Sequence, residues 1–167
     1  MVYIFDTSSF SPILEYYYPC AFPTFWRKFN ADIANGAIIS VREVQYELEN
    51  WGNSLIDYAW IRRNTKIFTT PTTADQQYVD KLLVSPDGAG LRKPDEETTA
   101  PPPLADTWLI AKAHSLPGSG VVVTEETRNP KSTNRIGSRS KIPDVCDNRG
   151  IPCINLAQFM IIEDWRF

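Results

Sequence analysis

Two short runs of purely apolar residues, Val2–Phe5 and Val121–Val123, constrain this chain more than any other feature, because each stops abruptly at acidic and hydroxyl residues. Both are too short for a helix and lack the alternation of a half-exposed strand, so they read as strands buried on both faces. Such strands belong to a parallel sheet covered by helices. The segments between them agree. Helical spacing covers Ser9–Tyr17, then Pro23–Asn35 with Gly36 as its stop. Ile38-Ile39-Ser40 leads into a helix over Val41–Asn50, with Ser40 as its cap. Further helices are predicted over Ser54–Asn64, Ala74–Val84, Ala105–Ser115, Asp144–Arg149 and Leu156–Asp164, and further short strands over Lys66–Thr69 and Pro152–Asn155. The prediction is an α/β fold, a central parallel sheet with helices on both faces. It forms one domain over residues 1–167, interrupted by a surface-loop insertion at Ser85–Pro103, which is rich in glycine and proline.

Composition narrows the function classes. Lys plus Arg total 17 against 20 acids, a net charge of -3, so any nucleic-acid contact must come from a local basic patch. No apolar run approaches the roughly 18 residues of a membrane span. The opening Met1–Asp6 has no basic leader, and the three cysteines lack a CxxC spacing, so a reducing cytoplasm is the expected compartment. The single histidine, His114, excludes a histidine-pair ribonuclease or a three-histidine zinc site within one chain. No GxxxxGK[ST] or GxGxxG pattern occurs. Any chemistry must rest on carboxylates.

Four carboxylates stand where such chemistry needs them. Asp6 ends the first apolar strand; alone it would read as a helix cap or turn residue. Glu47 lies on the Val41–Asn50 helix, whose buried face holds Val41, Val44, Leu48 and Trp51. At about 100° per residue, Glu47 falls roughly 70° from the centre of that face, and Glu43 and Glu49 beyond about 100°. Glu47 is therefore favoured at the border of core and cleft, with Glu43 as its alternative. Asp106 opens an otherwise apolar helix, where it also complements the dipole. Glu125 and Glu126 close the Val121 strand. In parallel sheets, ligands bind outside the carboxyl ends of the strands, where these acids would converge. Acids brought together repel unless a divalent cation neutralises them, and all-oxygen ligation suits Mg2+ or Mn2+. Such a site can polarise a phosphodiester and make hydroxide from water.

Around this core, Thr7, Ser8 and Thr124 are expected as hydroxyls that orient the carboxylates. Asp144 is either a fifth acid or an N-cap after Pro143. Arg128, Lys131, Arg135, Arg139 and Lys141 lie in a stretch without acids between Glu126 and Asp144; they would neutralise RNA phosphates or simply solvate a loop. Tyr16, Tyr17, Tyr18 and Trp26 fit helix packing or a dimer interface better than base stacking, and Cys146 and Cys153 fit core thiols.

The residues also resemble a known family. Tyr3-Ile4-Phe5-Asp6-Thr7-Ser8-Ser9 resembles the opening strand motif of PIN-domain nucleases, and Ile39–Leu48 their second motif, with Glu47 at its glutamate. Leu104–Ala113 is similar to the third, with Asp106 as its acid, and Val121-Val122-Val123-Thr124-Glu125-Glu126 to the fourth, with Glu126 where the family usually has aspartate. The motifs run in family order over most of the chain, and the nearest likeness is to a small bacterial PIN-like group. The resemblance implies a three-layer PIN-like sandwich and a metal-dependent endoribonuclease holding one or two Mg2+ or Mn2+ ions on Asp6, Glu47, Asp106 and Glu126. It further implies the toxin of a toxin–antitoxin pair, with RNA as substrate, a small antitoxin as partner and a homodimer as assembly. The glutamate in the fourth motif and the long insertion motivate an alternative: a degenerate PIN module that binds RNA or a protein.

Overall fold

Tyr3–Phe5 forms β1, the central strand of a five-stranded sheet in the computed structural model. The structure describes residues 1–50, 58–89, 91, 105–118, 120–129 and 140–166. The other strands are β2 (Ile38–Val41), β3 (Phe68–Thr69), β4 (Val121–Val123) and β5 (Cys153–Ile154). Their order is β3-β2-β1-β4-β5 and every pair is parallel. The helices among the described residues are α1 (Thr7–Tyr16), α2 (Pro23–Ala34), α3 (Arg42–Asn50), α4 (Tyr58–Arg63), α5 (Thr73–Leu83), α6 (Pro86–Ala89), α7 (Ala105–Ser115), α8 (Ile142–Arg149) and α9 (Leu156–Ile162). The α/β fold with a parallel sheet and surrounding helices is thus as predicted. None of these helices is long and apolar enough to cross a membrane.

Side chains alternate across β1, and this divides the core into two unlike layers. Tyr3 and Phe5 face an aromatic layer. Phe5 packs against Phe10 of α1, Phe29 of α2 and Phe159 of α9, with ring centroids 5.4, 6.1 and 5.1 Å away. Trp60, Trp26 and Trp165 extend the same cluster. Tyr3 adds a polar tie by donating to Glu163 Oε1 at 2.6 Å. On the opposite face Ile4 meets Gly120 so closely that a Cβ there would lie 2.2 Å from Ile4 Cδ1 and 3.3 Å from Ala113 Cα. Glycine fits this close approach without displacing the Ile4 side chain.

Layer two is held by one buried ion pair. Lys112 of α7 donates to Asp75 Oδ2 at 2.6 Å, and Ser115 donates to Asp75 Oδ1 at 2.5 Å. The backbone N–H and hydroxyl of Thr72 complete the shell at 2.7 and 2.8 Å. Burial alone would raise the Asp75 pKa, but the hydrogen bonds from Lys112, Ser115 and Thr72 outweigh it and hold the carboxyl below its ordinary value.

Several predicted boundaries move. Ser40 is not a helix cap: it pairs with Phe68 inside β2, and its hydroxyl donates to the Phe5 carbonyl at 2.6 Å. Asp6 caps α1, which therefore starts at Thr7 and not at Ser9. Helix α8 starts at Ile142, two residues before the predicted Asp144, because Pro143 suits a first turn. The predicted surface loop at 85–103 begins with a helix instead. Arg149 fastens α6 to α8 by a bidentate pair with Asp87 at 2.8 and 2.9 Å, and its hydrogen bonds push the Asp87 carboxyl down to about 2. Leu91 is fully buried; residues 90 and 92–103 lie outside the described set. Gly36 and Gly150 follow α2 and α8 at φ of +76° and +65°, the left-handed stops the sequence signalled.

Removing one member of the buried pair leaves the other charge stranded. Asp75→Ala should therefore cost about 3–5 kcal/mol at pH 7 in denaturant unfolding. Because folding lowers the Asp75 pKa, its contribution is present above roughly pH 4 and is lost as the pH falls below that value. The gap between wild type and variant should close in acid.

Candidate carboxylate site at the sheet edge

The chain leaves β1 for β2 and β3 on one side, then returns to place β4 and β5 on the other. Strand order therefore reverses between β1 and β4, and in open parallel sheets the crevice for a ligand opens at that switch, beyond the carboxyl ends of the strands. The residues next in line are Asp6 and Thr124. Register pairs Phe5 with Val123, so the two follow side by side.

Asp6 is 5% exposed. Its Oδ1 accepts from the Thr7 N–H at 2.7 Å, and its Oδ2 accepts from the hydroxyls of Ser8 at 2.5 Å and Thr124 at 2.9 Å. Burial raises its pKa; these three donors pull it back down in part, and the Glu126 charge adds to the rise. Ser8 also accepts from the Glu125 N–H at 3.0 Å, which stitches the start of α1 to the end of β4. All three predicted hydroxyls thus lie on carboxylates: Ser8 and Thr124 on Asp6, and Thr7 on Glu47, to which its Oγ1 donates.

Helical spacing alone does not separate Glu47 from Glu43. Glu47 is half-buried and reaches Thr7, one residue from Asp6. Glu43, assigned by the wheel to the outer side, is 4% exposed, since α3 is packed between α1 and α7 and buries more than one face. Its Oε1 accepts from Arg42 at 3.1 Å.

The two consecutive glutamates after β4 part company. Glu125 Oε1 accepts from the Leu156 N–H at 2.7 Å, at the start of α9. Glu126 turns to α8, where Oε2 accepts from the Ile142 N–H at 2.9 Å and Oε1 lies 3.3 Å from Lys141 Nζ. Asp106 is half-buried in the first turn of α7, a helix packed on β1, β2 and β4. Among the described residues, no three acidic, histidine or cysteine side chains converge tightly enough to hold an ion. Asp6 with Glu47, and Glu126 with the α8 terminus, form two adjoining groups.

The other predicted positions are engaged differently. Asp144 is not the N-cap of α8, a position that Lys141 takes: it accepts from the Asn129 backbone N–H at 3.1 Å and from Asn129 Nδ2 at 2.7 Å. Arg128 forms a bidentate pair with Asp147 at 2.7 and 2.9 Å. Lys141 serves Glu126. Lys131, Arg135 and Arg139 lie outside the described residues. His114 is exposed and stacks on Tyr78 at 4.0 Å, and Tyr17 packs on Phe25 at 4.5 Å. Cys146 is buried and Cys153 half-buried. Sequence reasoning missed the capping roles of Glu125 and Glu126, since their partners lie 31 and 16 residues away.

A carboxylate whose folded pKa lies above its ordinary value contributes stability only in acid, and that contribution is lost as the pH rises through the folded value. In the presence of chelator, Asp6→Asn should therefore melt at a higher temperature than wild type at pH 7. The difference should vanish below about pH 4, where both side chains are neutral. Thermal melts across that range check it.

Comparison with curated proteins and with solved structures returns no match. One family model does match, over residues 3–167, and by that match the chain belongs to the family described as Domain of unknown function DUF4411.

Proposed function

We propose that the chain is a metal-dependent endoribonuclease of PIN type that hydrolyses RNA phosphodiester bonds. The observation that carries this reading is the burial of Asp6 at the point where the strand order reverses. A helix cap needs only a partly exposed side chain, yet here a carboxylate is taken almost wholly out of water and oriented by three donors from two strand ends. Perturbed, desolvated acids of this kind concentrate at functional sites.

The donor set is all hard oxygen, which suits Mg2+ or Mn2+. Asp6, Asp106, Glu47 and Glu126 would hold one or two such ions, which when bound polarise a phosphodiester and supply hydroxide at neutral pH. The chain's own residues do the rest. Ser8 and Thr124 fix Asp6 Oδ2 and the Thr7 N–H fixes Oδ1 before any ligand arrives, so little reorganisation is needed. Thr7 couples Asp6 to Glu47 through one residue, by its backbone N–H and its hydroxyl. Lys141, beside Glu126, adds positive charge at the rim where an RNA phosphate would approach. The reaction would leave a 5′-phosphate and a 3′-hydroxyl. By its resemblance the protein would be the cytoplasmic toxin of a toxin–antitoxin pair, a homodimer blocked by a small antitoxin.

One observation favours a second reading, a non-catalytic PIN module that binds RNA or a protein. Glu126 is already committed to the α8 terminus and to Lys141. An acid spent on capping is not free to complete a metal site.

Mixed RNA incubated with Mn2+ separates the two. The nuclease reading expects cleavage that is abolished by EDTA and reduced at least about 100-fold in Asp6→Asn and Asp106→Asn. Equal cleavage by wild type and both variants would overturn the site, and no cleavage with no Mn2+ bound in calorimetry would favour the binding module.

A further inference from the structure

Beside the carboxylate site, beyond the ends of β4 and β5, lies a cavity of about 240 Å³. Thr124 and Glu126 form the wall it shares with that site, and Pro143, Cys153 and Ile154 give it an apolar lining. Its remaining lining is Thr127, Arg128, Asn155 and Gln158. The cavity is smaller than the roughly 300–1,000 Å³ of sites for drug-sized ligands, so its occupant is a single ring system and not an extended chain.

The rim is rich in hydrogen-bond donors. Asn155 Oδ1 accepts from the Gln158 N–H at 2.8 Å, and Gln158 Oε1 accepts from the Asn155 N–H at 3.0 Å. With both carbonyl oxygens already accepting within this capping box, the two side chains offer a ligand chiefly their amide N–H donors. Arg128 is donor-only as well, its guanidinium plane held by the bidentate pair with Asp147. Both Glu126 oxygens are engaged at α8. A slot with one apolar side, at Pro143, Cys153 and Ile154, and donors around it fits a flat ring that carries carbonyl oxygens on its edge.

We propose that this cavity takes a single unstacked nucleobase of the RNA strand, next to the phosphate that the carboxylate site would engage. The inference rests on the ribonuclease reading and adds to it a subsite. Sequence-specific RNA recognition works on bases splayed out of a single strand and hydrogen-bonded along their edges. Uracil, with two carbonyl oxygens, meets a donor rim better than adenine, whose edge carries an amino group.

The test is separate from catalysis. Uridine 5′-monophosphate, adenosine 5′-monophosphate and ribose 5-phosphate are titrated in EDTA into wild type, Gln158→Glu and Ile154→Trp, followed by backbone amide NMR. Gln158→Glu keeps the acceptor that the capping box needs and replaces the donor with a negative charge, so the fold is preserved. Ile154→Trp fills the slot. Saturable shifts at Thr127, Ile154 and Gln158 are expected with uridine monophosphate, weaker with adenosine monophosphate and absent with ribose 5-phosphate. Each variant should weaken nucleotide binding about tenfold or more, Gln158→Glu at unchanged melting temperature. No saturable binding, the same response to ribose 5-phosphate, or Gln158→Glu binding as wild type does would overturn the subsite. Asp6-dependent RNA cleavage without nucleotide binding would leave the nuclease standing and remove the pocket. Nucleotide binding lost in Gln158→Glu, without cleavage, would support base recognition and remove the nuclease.

Discussion

The burial of one carboxylate at the end of the central strand is the constraint that the rest of this structure answers to. Taking a charged group out of water is costly unless it is hydrogen-bonded, and Asp6 is supplied with donors from three directions. Those donors come from both sides of the switch in strand order, so the parallel pairing of β1 with β4 and the shell of Asp6 are one arrangement. The register that pairs Phe5 with Val123 is what brings Thr124 beside Asp6. A slip of one residue would turn Ile4 toward the aromatic layer and part Thr124 from the carboxylate at once.

Hydroxyl groups carry the same logic outward along the sheet edge. Ser40 bonds the Phe5 carbonyl from β2, and Thr69 bonds the Ser40 carbonyl from β3 at 2.9 Å. Parallel strands splay at their ends, and side-chain hydroxyls replace the backbone bonds that would otherwise be missing. Past the site, Glu125 and Glu126 satisfy the first N–H groups of α9 and α8, so the side chains of the loop after β4 help to anchor two helices.

Much of this was legible in the sequence, for local reasons. Strands buried on both faces announce themselves as unbroken apolar runs, which is why β1, β4 and the acids that close them could be read. Glycine stops after α2 and α8 were equally plain. What could not be read depends on partners distant in the chain. Ser40 looks like a cap because a helix follows it, but β3 extends the strand pairing past that point. Glu43 looks solvated on a wheel that assumes one buried face, whereas α3 has two neighbours. Arg128 and Lys141 read as free basic charge until Asp147 and Glu126 are folded against them. Arg149 meets Asp87 across 62 residues, and no local pattern encodes that.

The unequal core layers also give the protein an optical address for each. Among the described tryptophans, Trp26, Trp60 and Trp165 sit within the aromatic cluster on the Phe5 side, where emission is shared among close neighbours. Trp108 stands apart on α7, buried, with no hydrogen-bond partner for its indole N–H, two residues beyond Asp106. Near-ultraviolet ellipticity is weighted toward the packing of α2, α4 and α9. The emission of Trp108 is tied to the helix that carries Asp106, and the indole is an intrinsic dye already seated in the layer that this helix packs.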